Sequence, residues 1–191
     1  METRIQSVEM FLKPPSFGSN FFPIFDKKIR MHISDEDKAF LREAIKLARK
    51  GMNTNLGGPF GAVVVKDGKI IGKGSNNVAS SNDPTAHAEI TAIRDACQNL
   101  SSFQLDGCTL YTSCEPCPMC LGAIYWSRPE RIVYAANHID ADTIAGFDDS
   151  FIYDEIKIAP EERKIPAIQA LREEGQQVFH EWQLKEDKIV Y

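Results

Sequence analysis

Several hallmarks of common protein classes are missing from this sequence. No apolar run approaches the roughly 20 residues that a membrane-spanning helix needs, so no membrane span is expected. No block of lysine or arginine is present and the net charge is −5, which argues against electrostatic capture of DNA or RNA phosphates. What remains is a chain of 191 residues, 43% hydrophobic and 26% charged, as in a globular protein that acts on a small molecule.

The cysteines do not form the pattern of a disulfide framework. There are five, an odd number, and three of them lie close together in TSCEPCPMCLGA, residues 112–123. In that segment Cys114, Cys117 and Cys120 follow one another at intervals of three. We therefore predict metal-ligand cysteines in a reducing, cytoplasmic setting.

Hydrophobic periodicity predicts alternating helices and strands, the order typical of a layered α/β sheet with helices on both faces. Ser34 and Asp37 form a capping-box pattern at the start of the first helix, and Gly51 is expected to stop it. The dipeptide Asp67-Gly68 between two apolar runs predicts a hairpin. Helices are predicted over 35–50, 86–99, 117–127 and 174–186, and strands over 60–66, 69–76, 108–113 and 131–137.

The chain is predicted to have three parts. Residues 1–33 contain five phenylalanines without a period and form an N-terminal extension that packs loosely or is disordered. Residues 34–160 carry the motifs described below and form one domain of ordinary size. Residues 161–191 form a C-terminal segment.

Two predicted helix starts carry the residues of a zinc site. His87 and Glu89 open one helix, and Cys117 and Cys120 open the next as a CxxC pair. Three protein ligands, His87, Cys117 and Cys120, leave the fourth position of the metal open for water, as in catalytic zinc sites. The pattern H-x-E…P-C-x-x-C is the signature of zinc nucleobase deaminases, in which the glutamate transfers protons and does not bind the metal.

Two other interpretations of the cysteines stay open. A structural zinc site needs a fourth protein ligand, and Cys114 is the candidate. A redox pair would follow a strand of a thioredoxin-like unit and would need neither His87 nor Glu89.

Three longer segments resemble the bacterial guanine deaminases of the cytidine-deaminase-like superfamily. They are PTAHAEITAIRDAC, LYTSCEPCPMCLGAIYWSRP and GFDDSFIY, and the resemblance covers about residues 35–160. It implies a three-layer αβα fold with a central mixed five-stranded sheet. It also implies one Zn²⁺ per subunit with water or hydroxide as the fourth ligand, and a homodimer that exchanges its C-terminal segments.

The resemblance implies a role for each matching residue. His87, Cys117 and Cys120 hold zinc, and Glu89 moves a proton from the zinc-bound water to a ring nitrogen of guanine. Asp149 is the second catalytic carboxylate, which binds the guanine edge and helps to protonate the leaving amine. The implied substrate-binding residues are Asn76, Phe60, Ala88, Trp126, Phe147 and Tyr191.

Simpler interpretations of some of these residues stay open. Asp148 or Asp149 could be the N-cap of the helix that follows, and Asn76 could be a turn residue. Trp126 lies at a spacing that also suits a core position. Asp140 and Asp142, in the segment HIDADT, are expected to lie in a loop.

The same zinc motif allows other functions. A tRNA adenosine deaminase would need a basic RNA-binding face, which the acidic balance disfavours. Guanosine or aminated triazines could replace guanine as substrate. A zinc-stabilised, non-catalytic binding module is the alternative from a different class. The expected partner is a small purine, with neither nucleic acid nor membrane.

Overall fold

The computed structural model of the protein describes residues 31–190, and a four-stranded sheet is its centre. The strand order is β2-β1-β3-β4. Strand β1 is antiparallel to both β2 and β3, whereas β3 and β4 are parallel, so the sheet is mixed. The four predicted strands are confirmed within one residue at each end: β1 Gly61–Lys66, β2 Lys69–Ser75, β3 Cys108–Cys114 and β4 Arg131–Ala136.

Helices connect and cover the strands. The predicted helices are confirmed within about three residues at each end, and further helices are present that the sequence did not predict. Within residues 31–190, no helix combines the length and apolar character needed to cross a membrane. The helices are α1 Asp35–Asn53, α2 Val78–Ser81, α3 Ala88–Leu100, α4 Pro118–Ser127, α5 His138–Ala145, α6 Ser150–Lys157 and α7 Arg172–Leu184, with a 3₁₀ turn at Pro160–Glu162.

Both faces of the sheet are packed against helices, as predicted. Successive residues of β1 point to opposite faces, and all of them from Gly61 to Val65 are buried. Val63 and Val65 face α1, where Phe40 and Leu41 cover them. The opposite face packs mainly against α3, and the buried residues there are Ala62, Val64, Leu110, Ala88, Ala92, Ile93 and Ala96.

Helix α1 begins as predicted and ends later than predicted. The Ser34 hydroxyl accepts from the Asp37 backbone N–H at 3.1 Å, and the Asp37 carboxylate accepts from the Ser34 backbone N–H at 2.7 Å, a complete capping box. The prediction that Gly51 stops the helix is wrong, because α1 continues through it to Asn53. A Cβ at position 51 would lie 2.9 Å from the Cβ of Ser75, so glycine allows α1 to approach β2 closely.

The predicted fifth strand is absent from residues 31–190. After β4 the chain turns directly into α5, because the Asn137 side chain accepts from the Asp140 backbone N–H at 2.8 Å and the Asp140 carboxylate accepts from the Asn137 N–H at 3.0 Å. This second capping box explains why Asp140 and Asp142 lie in a helix and not in a loop. Further along, the segment 158–171 contains a 3₁₀ turn and no strand.

A buried ionic network joins α1 to the sheet. Arg131 Nη2 lies 2.5 Å from Asp37 Oδ1, and the Tyr111 hydroxyl donates to the same oxygen at 2.7 Å. Burial alone would raise the pKa of Asp37, but hydrogen bonds from Arg131, Tyr111 and Ser34 outweigh it and hold that pKa well below its ordinary value. The network therefore depends on the ionised form of Asp37.

Replacing Asp37 with Asn is expected to reduce the free energy of unfolding by about 3 kcal/mol at neutral pH, the cost of removing one partner from a buried ion pair. Since the folded-state pKa of Asp37 is depressed, its contribution is fully present above the unfolded value of about 3.9 and is lost as pH falls. Urea unfolding at pH 7 and pH 3 measures this. Asp35→Asn in the same turn is the control, because Asp35 is 97% exposed. Equal losses in the two variants would contradict the role of the network.

Candidate active site

Two helix N-termini bring the predicted metal ligands together. His87 is the N-cap of α3, and Cys117 is the N-cap of α4, where Pro118 follows at the first helical position. The His87 Nδ1 atom lies 3.6 Å from Cys117 Sγ and 3.5 Å from Cys120 Sγ. Within the described chain, these three side chains are the group whose ligand atoms all lie within 4.8 Å of one another.

The spacing of these atoms fits a zinc ion. Bonds of about 2.3 Å to sulfur and about 2.05 Å to nitrogen at a tetrahedral centre separate the two ligand atoms by about 3.6 Å. A hydrogen bond from Cys120 and a second one to His87 together lower the pKa of Cys117 to about 4, against the effect of burial. Cys117 is therefore a thiolate at neutral pH, the form that binds metals.

Cys114 does not join this group. Its Sγ atom lies 3.4 Å from the backbone oxygen of Asn137, towards which the thiol points. Burial raises the pKa of Cys114 to about 11, so it is a neutral thiol. The placement of Cys114 therefore does not favour the structural zinc site with four protein ligands.

The first turn of α3 is held directly against β2. A Cβ at position 74 would lie 2.1 Å from the Ala88 backbone oxygen, so only glycine permits this approach. Ala88 is fully buried in the core between helix and sheet. Ala88 is not among the residues that line the pocket described below, and its contact with substrate stays a prediction.

Glu89 lies beside the metal ligands and is 95% buried. Its Oε1 accepts from the hydroxyl of Thr112, on β3, at 3.2 Å, and its Oε2 lies 3.5 Å from Cys120 Sγ. Burial raises the pKa of Glu89, and the charge of Cys117 adds to the rise. A fixed carboxyl group with a raised pKa is suited to proton transfer near neutral pH.

A pocket of about 420 Å³ opens over Glu89 and the ligands, within the usual size range for small-molecule sites. Its walls come from the loops before β1, α2, α3, α4 and α6 and from α5. The lining residues are Phe60, Asn76, Val78, Pro84, His87, Glu89, Cys114, Glu115, Cys117, Met119, His138, Ala141, Phe147, Asp148, Asp149 and Ile152.

Two aromatic rings form one wall of the pocket. The centroids of Phe60 and Phe147 are 5.0 Å apart with the rings at 79°, a T-shaped contact. Phe147 follows Gly146 at the end of α5, whereas Phe60 precedes β1, so the loops bring together two positions 87 residues apart. The structure thus places these two of the four predicted aromatic residues at the pocket.

Asn76 presents a hydrogen-bond donor to the pocket. Its Oδ1 atom accepts from the backbone N–H groups of Gly58 at 3.1 Å and Val78 at 3.2 Å. These two bonds fix the orientation of the amide, so its NH₂ group is left for a ligand. Asn76 is therefore not merely a turn residue.

The two neighbouring aspartates have different surroundings. Asp148 Oδ1 accepts from the Ser150 backbone N–H at 2.8 Å and from the Ser150 hydroxyl, so it caps the start of α6. Asp149 makes no capping bond and is half-buried at the pocket wall. Burial raises the pKa of Asp149, and the charge of Cys117 raises it further. The Asp148 side chain thus caps α6, whereas Asp149, at the N-cap position, has a carboxylate available to a ligand.

Trp126 is not brought to the pocket. It lies in the last turn of α4, about 13 Å along the helix axis from the Cys117 end, and is 68% exposed. In the described chain Trp126 therefore neither lines the pocket nor lies in the core. Tyr191 and residues 1–30 lie outside the described residues, so those predictions stay as they were.

Glu115 and His138 line the pocket but were not predicted as site residues. Their signal in the sequence is weak. Glu115 lies between the cysteines of the CEPC motif, which are the more evident metal ligands. His138 is one of four histidines in the chain. The structure pairs them, with His138 Nδ1 at 2.7 Å from Glu115 Oε2.

The chain is similar to known deaminases in sequence and in structure. Residues 34–136 match the family described as the cytidine and deoxycytidylate deaminase zinc-binding region. The chain is 59% identical over 154 residues to the guanine deaminase of Bacillus subtilis (strain 168), covering 81% of this chain and 98% of that protein. A crystal structure of guanine deaminase from Bacillus subtilis matches over the same shares of the two chains with a TM-score of 0.78.

Two further matches are more distant. A solved guanine deaminase from Nitrosomonas europaea is 37% identical, with a TM-score of 0.56, and the match covers 63% of this chain and 68% of that one. The tRNA-specific adenosine deaminase of Aquifex aeolicus (strain VF5) is 46% identical over 99 residues, which are 52% of this chain and 62% of that protein. The zinc-binding region is therefore shared by proteins whose names give different substrates.

Proposed function

The chain belongs to the cytidine and deoxycytidylate deaminase family of zinc-binding proteins, and we propose that it is a guanine deaminase, which hydrolyses guanine to xanthine and ammonia. The observation that carries the proposal is a pocket with an acceptor carboxylate, Asp149, and a donor amide, Asn76, beside an aromatic wall formed by Phe60 and Phe147. The identity of 59% to a guanine deaminase over 154 residues supports it.

His87, Cys117 and Cys120 would hold one zinc ion per subunit, with water in the fourth position. When bound, zinc supplies the Lewis acidity that makes water a nucleophile near neutral pH. The chain's own residues provide the remaining chemistry: recognition of the base, exclusion of water and movement of protons.

The pocket's hydrogen-bonding groups match the edges of guanine. Guanine has donors at N1 and at the 2-amino group, and the Asp149 carboxylate accepts both. The amide NH₂ of Asn76 donates to an acceptor atom of the purine. Phe60 and Phe147 contact the base and exclude water. Adenine would place the lone pair of N1 against the carboxylate, and this repulsion favours guanine.

Two carboxyl groups move the protons of the reaction. Glu89 removes a proton from the attacking water and delivers it to a ring nitrogen of guanine, as the oxygen bonds to C2. The new hydroxyl group at C2 gives up the second proton of the water, which the Asp149 carboxylate accepts and passes to the 2-amino group, and the C2–N bond then breaks to release ammonia. The oxygen and one proton of the water stay in xanthine and the other proton leaves in ammonia, so the atoms balance. The bond from Thr112 holds Glu89 in place for both transfers.

Replacing Asp149 with Asn is expected to lower kcat/KM for guanine by about 10- to 150-fold, the value of hydrogen bonds to one charged group. The melting temperature should change little, because the Asp149 side chain makes no capping hydrogen bond. Steady-state kinetics and thermal unfolding measure the two effects.

Asp148→Asn is the matched control for Asp149→Asn. It weakens the bonds to Ser150 and should reduce stability by up to about 1 kcal/mol. If Asp149→Asn instead melts early and keeps full activity, Asp149 is a structural residue and its role in substrate binding is refuted.

Ammonia release by the zinc-loaded protein tests the proposed function directly. Guanine, guanosine, an aminated triazine, cytosine, adenine and a tRNA anticodon stem-loop would be assayed side by side. We expect release from guanine, with xanthine as the other product. Release from the stem-loop alone would make the protein an RNA editor. Release from guanosine or the triazine alone would refute guanine as substrate, and no release from any of them would favour a binding module.

The C-terminal segment supports a homodimer. Helix α7 leaves large apolar side chains exposed in this chain, among them Val178, Phe179 and Leu184. A second copy that receives segment 161–191 would cover them and bring Tyr191 to a site, as the resemblance to guanine deaminases implies. Light scattering, together with a chain truncated after residue 160, tests this. The thiolate ligands suit a reducing compartment, the cytoplasm.

A further inference from the structure

The loop of residues 57–60, which leads into β1, carries a glycine next to the aromatic wall of the pocket. The rings of Phe60 and Phe147 line the pocket, whereas Gly58 does not. A Cβ atom at position 58 would lie 3.1 Å from Phe147 Cζ and 3.1 Å from Phe60 Cε2. Gly58 therefore adjoins both rings from outside the pocket, at a distance that leaves no room for a methyl group.

Hydrogen bonds fix the backbone of this loop. The Asn76 Oδ1 atom accepts from the Gly58 N–H at 3.1 Å, and the Asn76 backbone N–H donates to the Phe60 carbonyl at 3.0 Å. The Phe60 N–H also donates to the Gly58 carbonyl at 2.8 Å, which closes a three-residue turn. At the end of the loop, the Gly61 N–H donates to the Ser113 hydroxyl at 3.0 Å. A side chain added to the loop would therefore displace its neighbours before it displaced the loop.

The two glycines of the loop differ in what a side chain would meet. Neither Gly57 nor Gly58 has a positive φ, so both backbone conformations are open to alanine. A Cβ at position 57 would lie 2.1 Å from Asn76 Oδ1 and 2.6 Å from the Asn76 backbone oxygen. At position 58 the nearest atoms belong to the two rings, which can shift by a few tenths of an ångström. Gly58→Ala is therefore expected to fold and to move the rings.

We propose that Gly58 is a positioning residue for substrate recognition, because its lack of a side chain lets Phe60 and Phe147 pack edge to face as the wall that contacts the purine. The inference rests on the proposed function, since that function supplies the purine. Gly58 acts through the two rings and touches no reacting atom. The competing explanation is that Gly58 only allows the loop to pack, so that a side chain there would lower stability and leave substrate binding unchanged.

Steady-state kinetics of Gly58→Ala separate the two explanations. The rings contact the base in the ground state and in the transition state, and the loss of such a contact raises KM without lowering kcat. We expect KM for guanine to rise by roughly 5- to 100-fold, the effect of overpacking by one methyl group. The kcat should stay within about 3-fold of wild type. An unchanged KM would overturn the proposal, whatever the change in stability.

A shorter side chain at position 147 should rescue Gly58→Ala. Leucine lacks the ring atom Cζ, which the added methyl group would meet in wild type. In the Phe147→Leu background, Gly58→Ala should therefore raise KM by at least about 2-fold less than it does in wild type, since substitutions of contacting residues are not additive. Equal effects in the two backgrounds would show that Gly58 does not act through Phe147, and would overturn the proposal.

Two further glycine variants are the controls. Gly57→Ala meets Asn76, to which the three atoms nearest its Cβ belong, so Phe147→Leu should not rescue it. Gly122→Ala lies on α4, where the Cβ would have no packing neighbour within 4 Å, and it should leave KM unchanged. If Phe147→Leu rescues Gly57→Ala as fully as Gly58→Ala, the rescue is not specific to the ring contact and the proposal is refuted.

Urea unfolding of zinc-loaded wild type, Gly58→Ala, Phe147→Leu and the double variant gives a readout without turnover. The two substitutions should be non-additive in the free energy of unfolding, because the added methyl group and the ring are in contact. Additive effects would overturn the proposal. If wild type does not deaminate guanine, the proposed function fails, whereas the unfolding data still report whether position 58 and Phe147 interact.

Discussion

Replacing Glu89 with Gln is expected to lower kcat for guanine deamination by about 10²- to 10⁴-fold while zinc stays bound, because proton transfer contributes this much in general acid–base catalysis. Glutamine has the shape of Glu89 and can still accept from Thr112, but it cannot take a proton. Glu89 is not one of the three grouped ligands. The prediction is checked by kcat in parallel with the zinc content of the purified variant.

Two controls sharpen the Glu89 experiment. Glu130→Gln makes the same chemical change at an exposed position outside the pocket and should leave kcat unaltered. Thr112→Val keeps the Glu89 carboxyl group but removes its hydrogen bond, and should cost less than Glu89→Gln. Zinc-loaded Glu89→Gln with wild-type kcat would contradict the proton-transfer role outright.

Replacing Cys117 with Ala is expected to abolish stable zinc binding and, with it, deamination. Removing a residue that only hydrogen-bonds to a metal ligand already lowers metal affinity by about 10- to 100-fold. Removing one of the three ligands themselves must therefore lower the affinity by more. The Cys117 thiolate also heads α4, where the helix dipole favours its negative charge. Competition with a chromogenic zinc chelator measures the affinity, and full zinc occupancy would remove Cys117 from the ligand set.

Cys114→Ala is the matched variant for Cys117→Ala. Both change a cysteine of the same motif, but the Cys114 thiol points towards the Asn137 backbone oxygen and away from the group. We expect Cys114→Ala to keep its zinc. If it loses the metal as Cys117→Ala does, the site is a structural one with four protein ligands, and the open position required for catalysis does not exist.

The sequence alone determined those features that depend on residues near one another in the chain. The capping box at Ser34, the hairpin at Asp67-Gly68 and the helix starts at His87 and Cys117 arise from contacts within a few residues. The chemistry of the metal ligands follows from their residue types, so the motif was sufficient to predict which three side chains meet.

Only the tertiary structure decided which neighbours each remaining residue has. Asp148 and Asp149 have the same side chain, so the sequence cannot assign their roles. In the structure Asp148 bonds to Ser150 and caps the helix, whereas Asp149 is left as the pocket carboxylate. The resemblance to guanine deaminases implied that Trp126 lines the pocket, but it lies in the last turn of α4, away from the pocket.

Long-range packing likewise set the orientation of Asn76, the pairing of Glu115 with His138, and the continuation of α1 through Gly51. Each depends on a contact between residues 18 to 24 positions apart. Local sequence patterns carry no information about such contacts, because the free energy that selects them comes from packing and hydrogen bonding across the folded chain.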